Sequence, residues 1–191
     1  PAFSRNGYGV KLGYEKEKYK IGIIGFYAKD DINSIVAVPD DKGITPKENL
    51  VVSLEGSYKI LDNLEFTGAY ASTAITQDLR AEVSNENGQG LASLFFKNRA
   101  STEYYTAIKT GFDYSFGKSS VGVAYERIDP GYETLGAYFF NNDFENITLN
   151  SSTTLFKDKL NLSFNIGYQR DDLENQKEQA IKEKLTALTE K

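Results

Sequence analysis

The side chains here that could do chemistry are carboxylates, lysines and hydroxyls, because the 191 residues include no His and no Cys. Thiol nucleophiles, disulfides, structural zinc and imidazole acid/base catalysis are thereby excluded, and Ser, Lys and carboxylates gather nowhere into a nucleophile–base cluster. The expectation is a protein that is not an enzyme and carries no cofactor. Two acidic pairs, Asp30-Asp31 and Asp40-Asp41, have ligand chemistry suited to Ca²⁺. They lack the surrounding loop pattern with its central Gly and terminal Glu, so they read as solvated loop and no metal site is assigned. Asn146-Ile147-Thr148, Asn150-Ser151-Ser152 and Asn161-Leu162-Ser163 match the glycosylation sequon but fall inside strands, where they supply polarity to one face. What remains is a set of charges of both signs: Lys11, Lys20, Glu55, Lys59, Glu65, Lys109, Asp113 and Glu126. Along the chain these alternate with apolar residues. On a common face they could line a watered passage, or pair off to fill a narrow one.

The elements that would position them are clearest in Asp158 to Gln169. Leu160, Leu162, Phe164, Ile166 and Tyr168 alternate with Asn161, Ser163, Asn165, Gly167 and Gln169, the period of two that a β-strand imposes. A soluble strand usually shows Lys or Glu to water, and this polar face shows neither. The same design predicts strands over Gly7–Tyr14, Tyr19–Ala28, Leu50–Lys59, Leu64 to about Thr73, Tyr104–Phe116, Val121–Glu126 and Phe144–Phe156. Tight turns are predicted near residues 16, 62, 118 and 157. Long connections are predicted over 29–49, 77–100 and 128–143, with Leu94-Phe95-Phe96 either buried in its loop or extending a strand. From Leu173 the period changes, and Ile181, Leu185 and Leu188 fit a short amphipathic helix. The expected division is a strand-and-loop region at 1–172 and a helical tail at 173–191.

Eight strands joined alternately by tight turns and long loops have the rhythm of an all-β, antiparallel, up-and-down transmembrane β-barrel. Closure of such a sheet satisfies every backbone group in lipid. Leu12, Leu54, Phe66, Ile108, Val123, Leu149, Leu162 and Phe164 are then expected to face lipid, and the eight charges above to face the lumen. Tyr14, Tyr19, Tyr58, Tyr114, Phe116 and Phe156 flank the short turns, while Tyr70, Tyr125 and Tyr168, with Tyr8, Tyr27 and Tyr104, sit toward the long loops. They are expected to form two aromatic girdles. No apolar run reaches 18 residues, which rules out a transmembrane helix on length. The net charge of −5 argues against a nucleic-acid surface.

The segments AFSRNGYGVKLGY, FYAKDDINSI, PKENLVVSLEGSY, LGAYFFNNDFENITLN and LNLSFNIGYQRDDLENQK together resemble outer-membrane barrel proteins of the Bacteroidetes type, over most of residues 1 to 175. The resemblance implies a location in the bacterial outer membrane and a pore, a TonB-dependent type of transporter, or a secretion or assembly barrel. Its expected partners are membrane lipid, lipopolysaccharide, and further strands of the same protein or partner subunits. If the long loops lie outside the cell, the first strand runs inward and the eighth outward. The start at Pro1 without a leader agrees with a slice of a larger chain, so at least one strand is expected before Tyr8 and one after Gln169. Two other readings stay open: a soluble, lipocalin-like barrel with its apolar side chains turned inward, and a membrane-anchored adhesin using Tyr132 to Asn142 as an exposed aromatic loop.

Overall fold

The structure, a computed structural model, describes residues 2–35, 43–137, 141–157 and 159–175. The alternating sequence folds into eight strands: β1 (Ser4–Glu15), β2 (Tyr19–Asp31), β3 (Glu48–Leu61), β4 (Leu64–Thr76), β5 (Thr102–Phe116), β6 (Ser119–Ile128), β7 (Phe144–Leu155) and β8 (Leu160–Asp171). They form one antiparallel meander in chain order. All eight predicted strands are present, and most run further toward the long loops than the alternation alone suggests. β2 continues through Asp31 because Arg5 of β1 forks onto the Asp30 carboxylate at 2.7 and 3.1 Å, which keeps the two strands paired to their ends.

The sheet is open. Among the described residues β1 pairs only with β2, and β8 only with β7, so the expected barrel closure is absent between these two edges. Short reversals join β1 to β2, β3 to β4, β5 to β6 and β7 to β8. In the β5–β6 turn Gly117 takes a φ of 59°, left-handed backbone that a residue without Cβ adopts at no steric cost. Two 3₁₀ turns, Ile32–Ser34 and Leu91–Phe95, are the helical elements among the described residues. Leu173 and Glu174 lie in a turn, with the Leu173 amide donating to Asp143 Oδ1 at 2.8 Å. The predicted tail helix at Ile181, Leu185 and Leu188 lies outside the described residues, as do Asp40-Asp41.

Register decides the rest. The row of directly paired residues through Tyr14 passes Ile21, Gly56, Gly68, Thr110, Tyr125 and Ile147 and arrives at Tyr168. The registers keep the faces aligned, so most apolar positions share one face of the sheet and most polar positions the other; Ile24, Phe26, Val51 and Tyr105 are apolar residues on the polar face, and Arg127, Glu145 and Arg170 form a charged cluster at the long-loop end of the apolar one. Apart from Gly22, Gly111 and Gly122, the buried strand residues gather at the end that carries the long loops, with Ala28, Asn49, Ser72, Thr73, Ala74, Ile75, Thr76 and Ile128 joined there by Leu79, Ala92 and Tyr132 from the loops. β1 and β8 are exposed along their entire lengths.

Candidate functional site

The polar face holds all eight charges singled out from the sequence. Lys11 Nζ reaches Glu55 Oε1 at 2.6 Å, although β2 lies between their strands. The reach depends on Gly22, because a Cβ there would stand 2.8 Å from Glu55 Cγ. Lys20 pairs with Glu15 at 2.8 Å, Lys59 sits opposite Glu65, Lys109 opposite Glu126, and Asp113 opposite Gly122. Between the charges stand small or hydroxyl-bearing residues, including Ala69, Ala71, Ala107, Gly111, Ala124 and Ser152. At β7–β8 the face is carried by amides, with Asn165 donating to Asn150.

The opposite face holds Leu12, Leu54, Phe66, Ile108, Val123, Leu149, Leu162 and Phe164, joined by Tyr14, Tyr19, Tyr58, Tyr70, Tyr114, Phe116, Tyr125 and Tyr168. Near the short turns the rings meet in pairs: Tyr14 with Tyr19 (6.0 Å between centroids), Phe66 with Phe112 (5.1 Å) and Tyr114 with Phe116 (5.8 Å). Phe156 occupies the β7–β8 turn itself, at a φ of 51°. Tyr70 is level in the ladder with Leu54 and Ile108, so it stands within the face rather than at its rim. Most of this face is uncovered; Leu12 is 65 % exposed and Phe164 59 %.

Two long loops fold back, one onto each face. Residues 131–137 of the β6–β7 loop cross the polar face from the β6 end toward β2. Gly131 lies against the Tyr105 ring of β5, and Glu133 O accepts from Thr73 Oγ1 of β4 at 3.0 Å. Asn49 of β3 is the hub, fully buried. Its Nδ2 donates to Thr73 Oγ1 (2.8 Å) and Ala74 O (2.9 Å), while its Oδ1 accepts from Thr134 Oγ1 (3.2 Å) and the Leu135 amide (3.0 Å). Glu133 also accepts from Lys47 Nζ and Gln77 Nε2, and Gly136 fits against the Phe26 ring of β2. Tyr132, expected to be exposed as part of an adhesive loop, is instead buried; burial pushes its hydroxyl pKa up to about 12. Tyr138, Phe139 and Phe140 lie outside the described residues.

The β4–β5 loop goes the other way. Its 3₁₀ turn, Leu91–Phe95, rests on the apolar-face side of β3 and β4, where the Ala92 amide donates to the buried Ser72 Oγ at 3.1 Å. Gly90, at a φ of 72°, fits against Ser72 and the Tyr70 hydroxyl, and Gly88 against the Tyr104 ring. Leu94 and Phe95 then point away, neither buried in the loop nor extending a strand. At the loop's base Arg80 forks onto Asp78 and holds its carboxyl below the usual range. The anchors Asn49, Thr73 and Ser72 were not among the site residues expected from the sequence. Each occupies an ordinary strand position there, and the only hint is a polar residue near the loop end of its strand.

Among the described residues no helix is long and apolar enough to cross a membrane, which does not bear on strands. Comparisons with models of protein families, with characterised proteins and with solved structures found no match.

Proposed function

We propose that the chain forms eight consecutive strands in the wall of a bacterial outer-membrane β-barrel, with its apolar face toward lipid and its polar face toward a watered lumen. Its role is non-enzymatic and contributes to passage of solutes or polypeptide. The observation that carries this reading is the apolar face: it extends across all eight strands and no second layer of the described residues covers its middle. In water each such Leu or Phe forgoes about 1.5–3 kcal/mol of burial, so a medium that is itself apolar is the natural covering. Small residues gather on the polar side, which suits the crowded, concave side of a curled sheet and disfavours a lipocalin-like interior lined by Leu, Phe and Tyr.

The edges support the same reading. β1 and β8 are each 12 residues long, free of Pro and, among the described residues, unpaired along one side. Soluble proteins blunt such edges because they template pairing with other chains, and lipid tolerates no open edge at all. Further strands, from the same protein or from partner subunits, are the natural partners of both.

The test uses neighbouring positions on opposite faces of β8. Leu162→Arg should lower the stability of the bilayer-refolded protein by roughly 2–4 kcal/mol, and Ser163→Arg by much less. Equal penalties would overturn the membrane reading. A larger penalty at Ser163 would favour the inverted, soluble barrel.

A further inference from the structure

We infer that Leu94 and Phe95 form a rigid interfacial hook that inserts into the rim of the bilayer at the long-loop end of the apolar face; this rests on that face meeting lipid. Leu94 is 71 % exposed and Phe95 75 %, the latter the highest exposure of any large apolar side chain described. A floppy loop would fold two such residues inward. This one has no freedom to do so, because the turn behind them is seated through Ala92, which is fully buried and bonded to Ser72, and is closed on itself by Ser93 Oγ donating to Gly90 O at 2.7 Å. The flanks are tied as well: Val83 pairs with Arg99, Arg99 Nη1 donates to Ala81 O, and Asn98 Nδ2 donates to Glu86 O. The two side chains are thus presented by a built support.

The occupant follows from position and charge. The hook lies on the apolar side of the sheet, beside Tyr70 and Tyr104, and so continues the face read as lipid-facing rather than the polar face behind it. The chain from Asn87 to Phe96 contains no charged residue, and Lys97 follows directly. An apolar tip with a cation beside it matches the boundary between acyl chains and anionic headgroups, where amphipathic segments settle about 5–10 Å deep. A protein partner would more naturally meet polar as well as apolar groups on the contact surface.

Because the chain has no Trp, single tryptophans report position without background. Phe95→Trp reads the hook, Phe164→Trp reads the middle of the apolar face, and Glu86→Trp reads an exposed part of the same loop. The first two exchange one exposed aromatic ring for another, so folding is preserved. The full chain is refolded into vesicles of phosphatidylcholine and phosphatidylglycerol, with and without brominated acyl chains. The hook requires emission from position 95 to be quenched by brominated lipid, that from 164 to be quenched at least as much, and that from 86 to stay unchanged. Quenching at 164 without quenching at 95 would overturn the hook while leaving the lipid-facing reading standing, and blue-shifted but unquenched emission from position 95 would assign the tip to protein instead. If neither position is quenched, both readings fail.

Discussion

The β4–β5 and β6–β7 loops leave the same end of the same sheet and come to rest on opposite faces, held by opposite means. Residues 131–137 span from β6 to β2, a chord of about 19 Å at ordinary strand spacing, and they are fastened through side-chain hydrogen bonds centred on the buried Asn49. The 3₁₀ turn at Leu91–Phe95 has a single polar fastening, Ser72, and otherwise relies on glycines that let it press against tyrosine rings. The loops differ because the faces differ: a polar face offers partners for backbone groups, whereas an apolar face offers only contact. The first loop consequently hides its polar groups and narrows the space over the polar face. The second turns its own apolar groups outward.

The sharpest way to break this contrast is Asn49→Ala. It removes two donors and the acceptor of two further bonds in a site with no access to water, at an expected cost of about 2–3 kcal/mol. Hydrogen exchange should quicken across residues 131–135 and stay unchanged across 88–95. Equal loosening of both loops would mean that they are one unit. Ser72→Ala is the converse test, with a smaller expected cost of about 1 kcal/mol. Here exchange should quicken at Ala92 and its neighbours, and protease nicking should begin in the 77–101 loop while residues 129–137 stay intact.

The smallest effects come from pH, and they have opposite signs for the two loops. Arg80 holds the Asp78 carboxyl below its usual range, so this pair's contribution is present above the ordinary Asp pKa and is lost as pH falls through the depressed value. Burial holds the Tyr132 hydroxyl protonated up to about 12, so its contribution is complete below the ordinary Tyr pKa and is lost as pH rises through about 12. Exchange profiles should show the 77–101 loop loosening first in acid and the 129–143 loop loosening first in alkali. Asp78→Asn should abolish the acid response and leave the alkaline one.

The strands and their two faces were legible in the sequence because a period of two is a local property. Leu160 to Gln169 announces its faces without knowing its neighbours, and the register then has only to match apolar to apolar. The strand ends were less legible, since the end of β2 is held by Arg5 on Asp30, 25 residues away. The loop anchors were not legible at all. Asn49, Thr73 and Ser72 are the same residue types that decorate strands everywhere in this chain, and their importance arises only when a distant loop lands on them. Tyr132 shows the same gap in reverse, since its aromatic stretch resembles exposed loop until Asp129 and Asn142 fix the turn that buries it. The gap between β1 and β8 likewise depends on the sum of seven registers, which no single strand encodes.

Those registers have a geometric consequence. In the row from Tyr14 to Tyr168, the first residue stands one position before the end of β1 at its short turn, and the last stands eight positions beyond the start of β8 at its own. The row therefore climbs seven residues in seven steps from strand to strand. One residue of slide per strand is about 3.3 Å of rise for each 4.8 Å of width, which would lean the strands by roughly 35° from the axis of a barrel built on this register. The hydrogen-bonded rows thus form a spiral ramp from the short-turn rim to the long-loop rim. Its slope comes in discrete steps, because sliding one strand by a single residue would carry every apolar side chain to the polar side. Only moves of two residues preserve the faces, so a paired insertion within a strand should tilt the wall where a single insertion would ruin it.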